Sequence, residues 1–134
     1  KSILLSHGDA LCTDDIEYQK FRLEVRQDAW KNSFLNQSID KRIHLIEQLR
    51  EKSEREKSTK SLQIMDVNQN AVENLLTENA FPPIFIHGHT HRPNRHKLHI
   101  GEKTCERLVL GDWYEQGSYL QIDGEGCHAH TLLA

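Results

Sequence analysis

The chain has 134 residues, 37% of them hydrophobic and 28% charged, with a net charge of −3 at pH 7, which is the size and balance of one globular domain. That charge offers no basic surface for nucleic acid, and no run of about eighteen apolar residues is available to span a bilayer. With no basic-then-apolar leader read at its start, a soluble, intracellular protein is expected. Cys12, Cys105 and Cys127 are an odd count without C-x-x-C spacing, so they read as reduced, buried or half-buried thiols, a cysteine ligand being the minor alternative.

The sequence opens on Lys1 and enters an apolar strand at once, Ser2 to Ser6, so it reads as a chain cut inside a domain. The strand ends in Ser6-His7-Gly8-Asp9. His7 has two readings, a histidine that bonds a loop carbonyl or a metal ligand. Asp9 is placed to hold an imidazole by its free N–H rather than to be a ligand itself. From Thr13 to about Phe34 the spacing of Tyr18, Phe21, Val25 and Ala29 predicts one helix, begun by Asp14 three residues before Glu17. A second helix carries Ile39, Ile43, Ile46 and Leu49, giving a helical hairpin whose apolar face is expected to pack on the domain or to serve a ligand. Residues 50–61 carry only polar and charged side chains and read as a solvated face, or as a place where Arg50, Lys57 and Lys60 meet phosphate. Residues 62–79 return to helical spacing with Leu62, Met65, Val72, Leu75 and Leu76, with Asp66, Asn68 and Asn70 as local caps, until Phe81-Pro82-Pro83 stops the helix.

Pro82 to Pro93, PPIFIHGHTHRP, is the richest stretch. Ile84-Phe85-Ile86 predicts a strand covered on both faces, and Gly88 is expected to give the sharp turn that presents His89 and His91 to one cavity. His96 and His99 follow in a polar stretch and are expected on the surface. Arg107 to Asp112 reads as another buried strand, and Ser118–Ile122 with His128–Leu133 as a hairpin turning at Asp123-Gly124-Glu125-Gly126. Five strands with helices between some of them predict an α/β sheet domain without internal repeats or a dividing linker.

Histidines at the ends of two strands suit a divalent transition metal. His89 and His91 form an i, i+2 pair leaving a strand, which suits two adjacent ions better than one. Two ions need bridging carboxylates to offset their charge, and only Asp9 and Asp112 stand near strand ends, so the chain reads as half of a two-metal site.

SHGDALCTDD, IHGHTHRP and LVLGDWYEQGS together resemble the calcineurin-like metallophosphoesterase family, and KSLQIMDVNQNAV narrows the resemblance to its lipid A branch. The resemblance covers almost the whole chain, but only the family's carboxyl-terminal part; the D-x-H, G-D and G-N-R-D motifs that begin such enzymes are not in this sequence. It implies part of an αββα sandwich with a helical lid insertion at about residues 14–62. It also implies His7 and His89 as ligands of one Mn2+, His91 as a ligand of a second, and the remaining ligands outside this chain. His87 is not implicated. Asp15, Ser53, Lys57, Lys60 and His89 are implied at the substrate, Lys57 least firmly because relatives vary there. The implied reaction is hydrolysis of UDP-2,3-diacylglucosamine to UMP and 2,3-diacylglucosamine 1-phosphate, on the cytoplasmic face of the inner membrane of a Gram-negative bacterium and with peripheral attachment only. Residues 1–134 alone are expected to be inactive. The alternatives are a metallophosphoesterase with another phosphoester substrate and a non-catalytic fragment.

Overall fold

The apolar runs before the two His-Gly pairs form strands, and they lie side by side. The computed structural model describes residues 2–132. In chain order it contains β1 (Ile3–Ser6), a 3-10 turn (Asp9–Leu11), α1 (Ile16–Val25), α2 (Asp28–Leu35), α3 (Ile39–Thr59), α4 (Gln69–Glu78), β2 (Ile84–His87), β3 (Asn94–Ile100), β4 (Lys103–Val109), β5 (Gly117–Ile122) and β6 (Cys127–Leu132). The residues up to Leu11 and from Val67 onward form one compact unit, and Cys12–Asp66 a second.

In the first unit, four strands make a sheet in the order β1-β2-β4-β3. β2 runs parallel to both β1 and β4, with Ser6 opposite His87 and His87 opposite Val109. Alternation along β2 then sorts its side chains. Phe85 joins Leu11, Val72, Leu76 and Cys105 in a core under α4. Ile86 instead meets Leu108 and Cys127, with Ile84, Leu110 and Leu120 around them, between the sheet and the antiparallel β5–β6 hairpin. The layers of this unit are therefore helix, sheet and hairpin. Burial of β2 on both faces agrees with its continuous apolar run. Asn68 begins α4 as its sequence position predicts, its side chain accepting from the Ala71 amide at 3.1 Å.

Several elements depart from the sequence reading. β3 is a sixth strand, where only a polar stretch was expected. It is the sheet's edge, antiparallel to β4 through the Gly101-Glu102 turn, so alternate positions His96, Leu98 and Ile100 are half-buried while Asn94, Arg95, Lys97 and His99 are exposed. His99 is on the surface as expected and His96 is not fully so. β4 starts at Lys103 rather than Arg107. The hairpin matches its expected strands, except that Leu133 lies outside the described residues.

In the second unit the single helix expected over 13–34 is two. Gln27 is extended (ψ 141°) and caps a new helix whose first turn carries Asp28, the charge a helix N-terminus favours. α3 runs on through the charged residues to Thr59 as one helix of 21 residues, held along its surface by Lys52–Glu56, Arg55–Glu51 and Lys57–Glu54 pairs. Residues 61–68 are not helical, and the helix expected over 62–79 is only α4. The buried face expected for the helical hairpin is absent as well: no residue of α1, α2 or α3 is buried. Leu35, Ile39 and Ile43 are exposed, and Phe34, Ile39, Ile43 and Ile46 instead line a groove of about 470 Å³ with Arg42, Glu47 and Arg50.

Phe85 and Leu76 are both 0% exposed, so Phe85→Ala is expected to cost about 3–5 kcal/mol and Leu76→Ala about 2–5 kcal/mol of folding free energy. Urea unfolding followed by circular dichroism measures this. Losses under about 1 kcal/mol would mean that the α4 layer is not a packed core.

Candidate metal centre

The parallel register brings the two His-Gly segments together. Gly88 donates its amide to the His7 carbonyl at 3.1 Å and Leu110 donates to the His87 carbonyl at 2.8 Å, so three strand ends finish at one level. Just beyond that level the rings of His7 and His89 meet edge to face, centroids 5.1 Å apart with planes at 68°.

The turn that aims His89 is made by the histidine itself. The Thr90 amide donates to the Gly88 carbonyl at 2.8 Å, and His89 between them has φ 65°, the rare left-handed form of a γ-turn. His91 follows with φ 53°. Histidine tolerates the left-handed region better than most residues with a Cβ, but both positions are strained. Gly88 was expected to supply this freedom, yet it keeps an ordinary φ, and a Cβ there would come no closer than 3.8 Å to the His7 carbonyl. The glycine whose conformation matters is Gly8. Its φ is 99°, and a Cβ on it would stand 2.9 Å from His87 Nδ1 and 3.1 Å from the Gly88 carbonyl.

Burial is the main cause that holds the His89 pKa below the usual imidazole value, helped by His7 and, more weakly, by His91 and His87; Asp9 opposes them. Lowering favours the neutral ring, the form that donates a lone pair to a metal. Asp9 is buried in the 3-10 turn. His91 stands beside a carboxylate. Its Nδ1 is 3.8 Å from Asp112 Oδ2, and its ring is 5.9 Å from that of Tyr114. Among the described residues, no group of three or more His, Cys, Asp or Glu side chains is set to hold a metal ion. The geometry is two converging imidazoles, His7 and His89, with His91 beside a carboxylate, and imidazole is a ligand that suits divalent transition metals.

The other candidate residues lie in the second unit. Asp15 caps α1 by accepting from the Tyr18 amide at 3.1 Å, and Lys60 Nζ meets both its carboxylate oxygens, at 2.7 and 2.9 Å. The two side chains are only 10% and 16% exposed, so this pair is partly shielded from water and worth more than a surface contact. Ser53 and Lys57 stand one turn apart on α3, both exposed, Lys57 paired with Glu54 at 2.9 Å. Asp15 and Lys60 are thus brought together, as are His7 and His89.

Two residues gained importance only in three dimensions. His87 is 1% exposed, and its Nε2 is 2.9 Å from Arg107 Nη1. Arg107 looked like the first residue of an apolar strand, and only its pairing opposite Phe85, two residues before His87 on the same face of β2, reveals the contact.

No family model matches the chain. Curated proteins do. A protein of Aromatoleum aromaticum is 50% identical over 126 residues, 94% of this chain and 51% of the relative. One of Bordetella pertussis is 44% identical over 137 residues, 98% of the chain and 53% of the relative, and one of Vibrio parahaemolyticus is 44% identical over 128 residues, 94% and 51%. All three are named UDP-2,3-diacylglucosamine hydrolase. Nearly all of this chain is homologous to part of such a hydrolase. It spans about half the length of the curated relatives it matches. No helix among the described residues is long and apolar enough to cross a membrane.

Gly8→Ala is expected to destabilise the protein by clearly more than Gly101→Ala. Both glycines have positive φ, but a Cβ at Gly101 meets nothing within 4 Å. The control should show only the backbone cost of about 1 kcal/mol, and Gly8→Ala that cost plus the displacement of a pinned imidazole. Thermal unfolding of the two variants compares them; equal losses would mean that the approach of Gly8 to His87 is slack.

Proposed function

We propose that this chain is the carboxyl-terminal, histidine-bearing part of a UDP-2,3-diacylglucosamine hydrolase, which cleaves the pyrophosphate bond of its substrate to UMP and 2,3-diacylglucosamine 1-phosphate in lipid A biosynthesis. The observation that carries the proposal is the match to hydrolases of that name over 94% or more of the chain, at 44–50% identity in the three described. The stacking of α4, the four-stranded sheet and the β5–β6 hairpin supports the finer reading, part of an αββα metallophosphoesterase sandwich, with residues 14–62 as its helical lid.

In this reading His7 and His89 would hold one Mn2+ and His91 a second, with the other ligands supplied from outside these residues. Bound there, the ions would supply positive charge to the phosphoryl oxygens of the diphosphate. The chain's own part is positioning. Burial keeps His89 neutral and its γ-turn fixes the ring. Lys60, already drawn to a carboxylate, has an ammonium to exchange onto the diphosphate, and Asp15, Ser53 and Lys57 are its companions at the substrate. The half-buried Trp30 and Phe34 and the exposed Leu35, Ile39, Ile43 and Ile46 offer apolar surface to the acyl chains. A diacylated substrate implies peripheral attachment to the cytoplasmic face of the inner membrane. The match to only about half the length of each relative supports a second reading, that residues 1–134 by themselves are non-catalytic.

In the full-length protein, His89→Ala is expected to lower turnover of UDP-2,3-diacylglucosamine by orders of magnitude with little change in melting temperature, and chelation should abolish turnover until Mn2+ is restored. Unchanged turnover in the variant would count against His89 as a ligand. Hydrolysis of a soluble phosphodiester but not of the acylated sugar nucleotide would point to a different metallophosphoesterase. Replacing Trp30 and Phe34 by Ala together should weaken long-chain substrates more than short-chain ones, whereas equal loss would remove the acyl-binding role. Titration of residues 1–134 alone with Mn2+ should show weak or single binding rather than two tight sites.

A further inference from the structure

His87 takes no part in the proposed metal set, yet it is among the most completely enclosed polar side chains described, 1% exposed, on the same face of β2 as Phe85, whose ring is 5.2 Å away. Both its nitrogens are engaged. Arg107 Nη1 lies 2.9 Å from Nε2, and Nδ1 lies 3.0 Å from the carbonyl of Gly88. A guanidinium has only hydrogens to offer, so Nε2 must be the acceptor, and the ring hydrogen sits on Nδ1 and is donated to Gly88. One side chain thus reaches from a buried cation on β4 to the peptide that starts the His89 γ-turn. The same ring closes on the other histidine loop, since it leaves no room for a Cβ on Gly8, the residue after His7.

We infer that Arg107 and His87 form a positioning relay that sets the two loops carrying His7 and His89 at the spacing a metal ion requires. Resting on the functional reading above, the relay adds residues that touch neither ion nor substrate. The carbonyl of Gly88 is held twice, by the His87 ring and by the Thr90 amide at 2.8 Å. Its orientation fixes where the strained turn points, and strain of this kind persists only where surrounding contacts over-determine it. Arg107 is itself 8% exposed, so its direction is set by the packed strand and not by solvent. Partners one step removed from metal ligands commonly affect metal affinity by about 10–100-fold.

The test uses the full-length protein and Mn2+ itself, followed by calorimetric titration, alongside turnover of UDP-2,3-diacylglucosamine. His87→Phe fills the space against Phe85 and removes both hydrogen bonds, Arg107→Met removes the donor, and His87→Gln keeps an acceptor for Arg107. The first two are expected to weaken Mn2+ binding at least about tenfold, the double variant to be no worse than the poorer single one because the pair acts as a unit, and His87→Gln to recover part of the loss. Folded variants with unchanged Mn2+ affinity, or single losses that multiply in the double variant, would overturn the relay. Should the variants not fold, nitrogen-15 spectra of the unaltered protein decide: a His87 ring with its hydrogen on Nδ1 is expected, and a hydrogen on Nε2 would overturn the proposal. Mn2+ binding that depends on His87 in a protein inert toward UDP-2,3-diacylglucosamine would remove the functional reading and leave the relay standing. Full hydrolysis with a neutral His87→Phe would do the reverse.

Discussion

Parallel pairing of β1 and β2 in a single register is the constraint on which the histidine centre depends. Residues 6 and 87 are far apart in the chain but directly opposite in the sheet, so His7 and the segment after His87 leave the sheet from neighbouring points. A slip by one residue would turn Phe85 out of the α4 core and exchange the faces of every side chain on the strand. Because the core penalises that exchange, the register that buries Phe85 is also the register that brings His7 against His89. Stability and site geometry are here one choice made by the same strand.

The parallel arrangement also explains where the second unit is inserted. Parallel neighbours need a long crossover, and this one contains Cys12–Asp66 as well as α4. Only α4 is required to complete the helical layer over the sheet, and the entropic cost of closing a longer connection grows slowly with its length. The crossover therefore tolerates a unit with its own pattern of charges and apolar residues. Within that unit the Asp15–Lys60 pair joins the start of α1 to the residue just after α3, tying together both ends of the helical segment.

How much of this was legible follows from the range of each interaction. β1, β2 and the hairpin were readable because apolar runs and Gly-rich turns are local signals. β3 was not, since an edge strand needs only half its residues to be apolar, and Leu98 with Ile100 are a faint alternation beside Asn94, Arg95 and Lys97. The break between α1 and α2 has neither Gly nor Pro, and amphipathic spacing does not tell what will cover a face; in α1–α3 the described structure covers none of it fully. His7 and His89 were readable from their shared strand-His-Gly pattern. That His91 faces Asp112, that His89 rather than Gly88 makes the turn, and that Arg107 meets His87 all depend on contacts between distant segments, which no local pattern contains.

The three thiols are distributed so that each belongs to a different layer. Cys105 lies in the core beneath α4, Cys127 between the sheet and the hairpin, and Cys12 in the helical unit, its Sγ 3.7 Å from the Met65 carbonyl. None is in a disulfide and all are buried, and at Cys105 burial also raises the thiol pKa, with Glu106 adding to it, so an alkylating reagent must wait for the surrounding structure to open before it reaches each sulfur. The chain thereby carries an internal set of clocks, in which the labelling rate at each sulfur reports how often its own layer breathes.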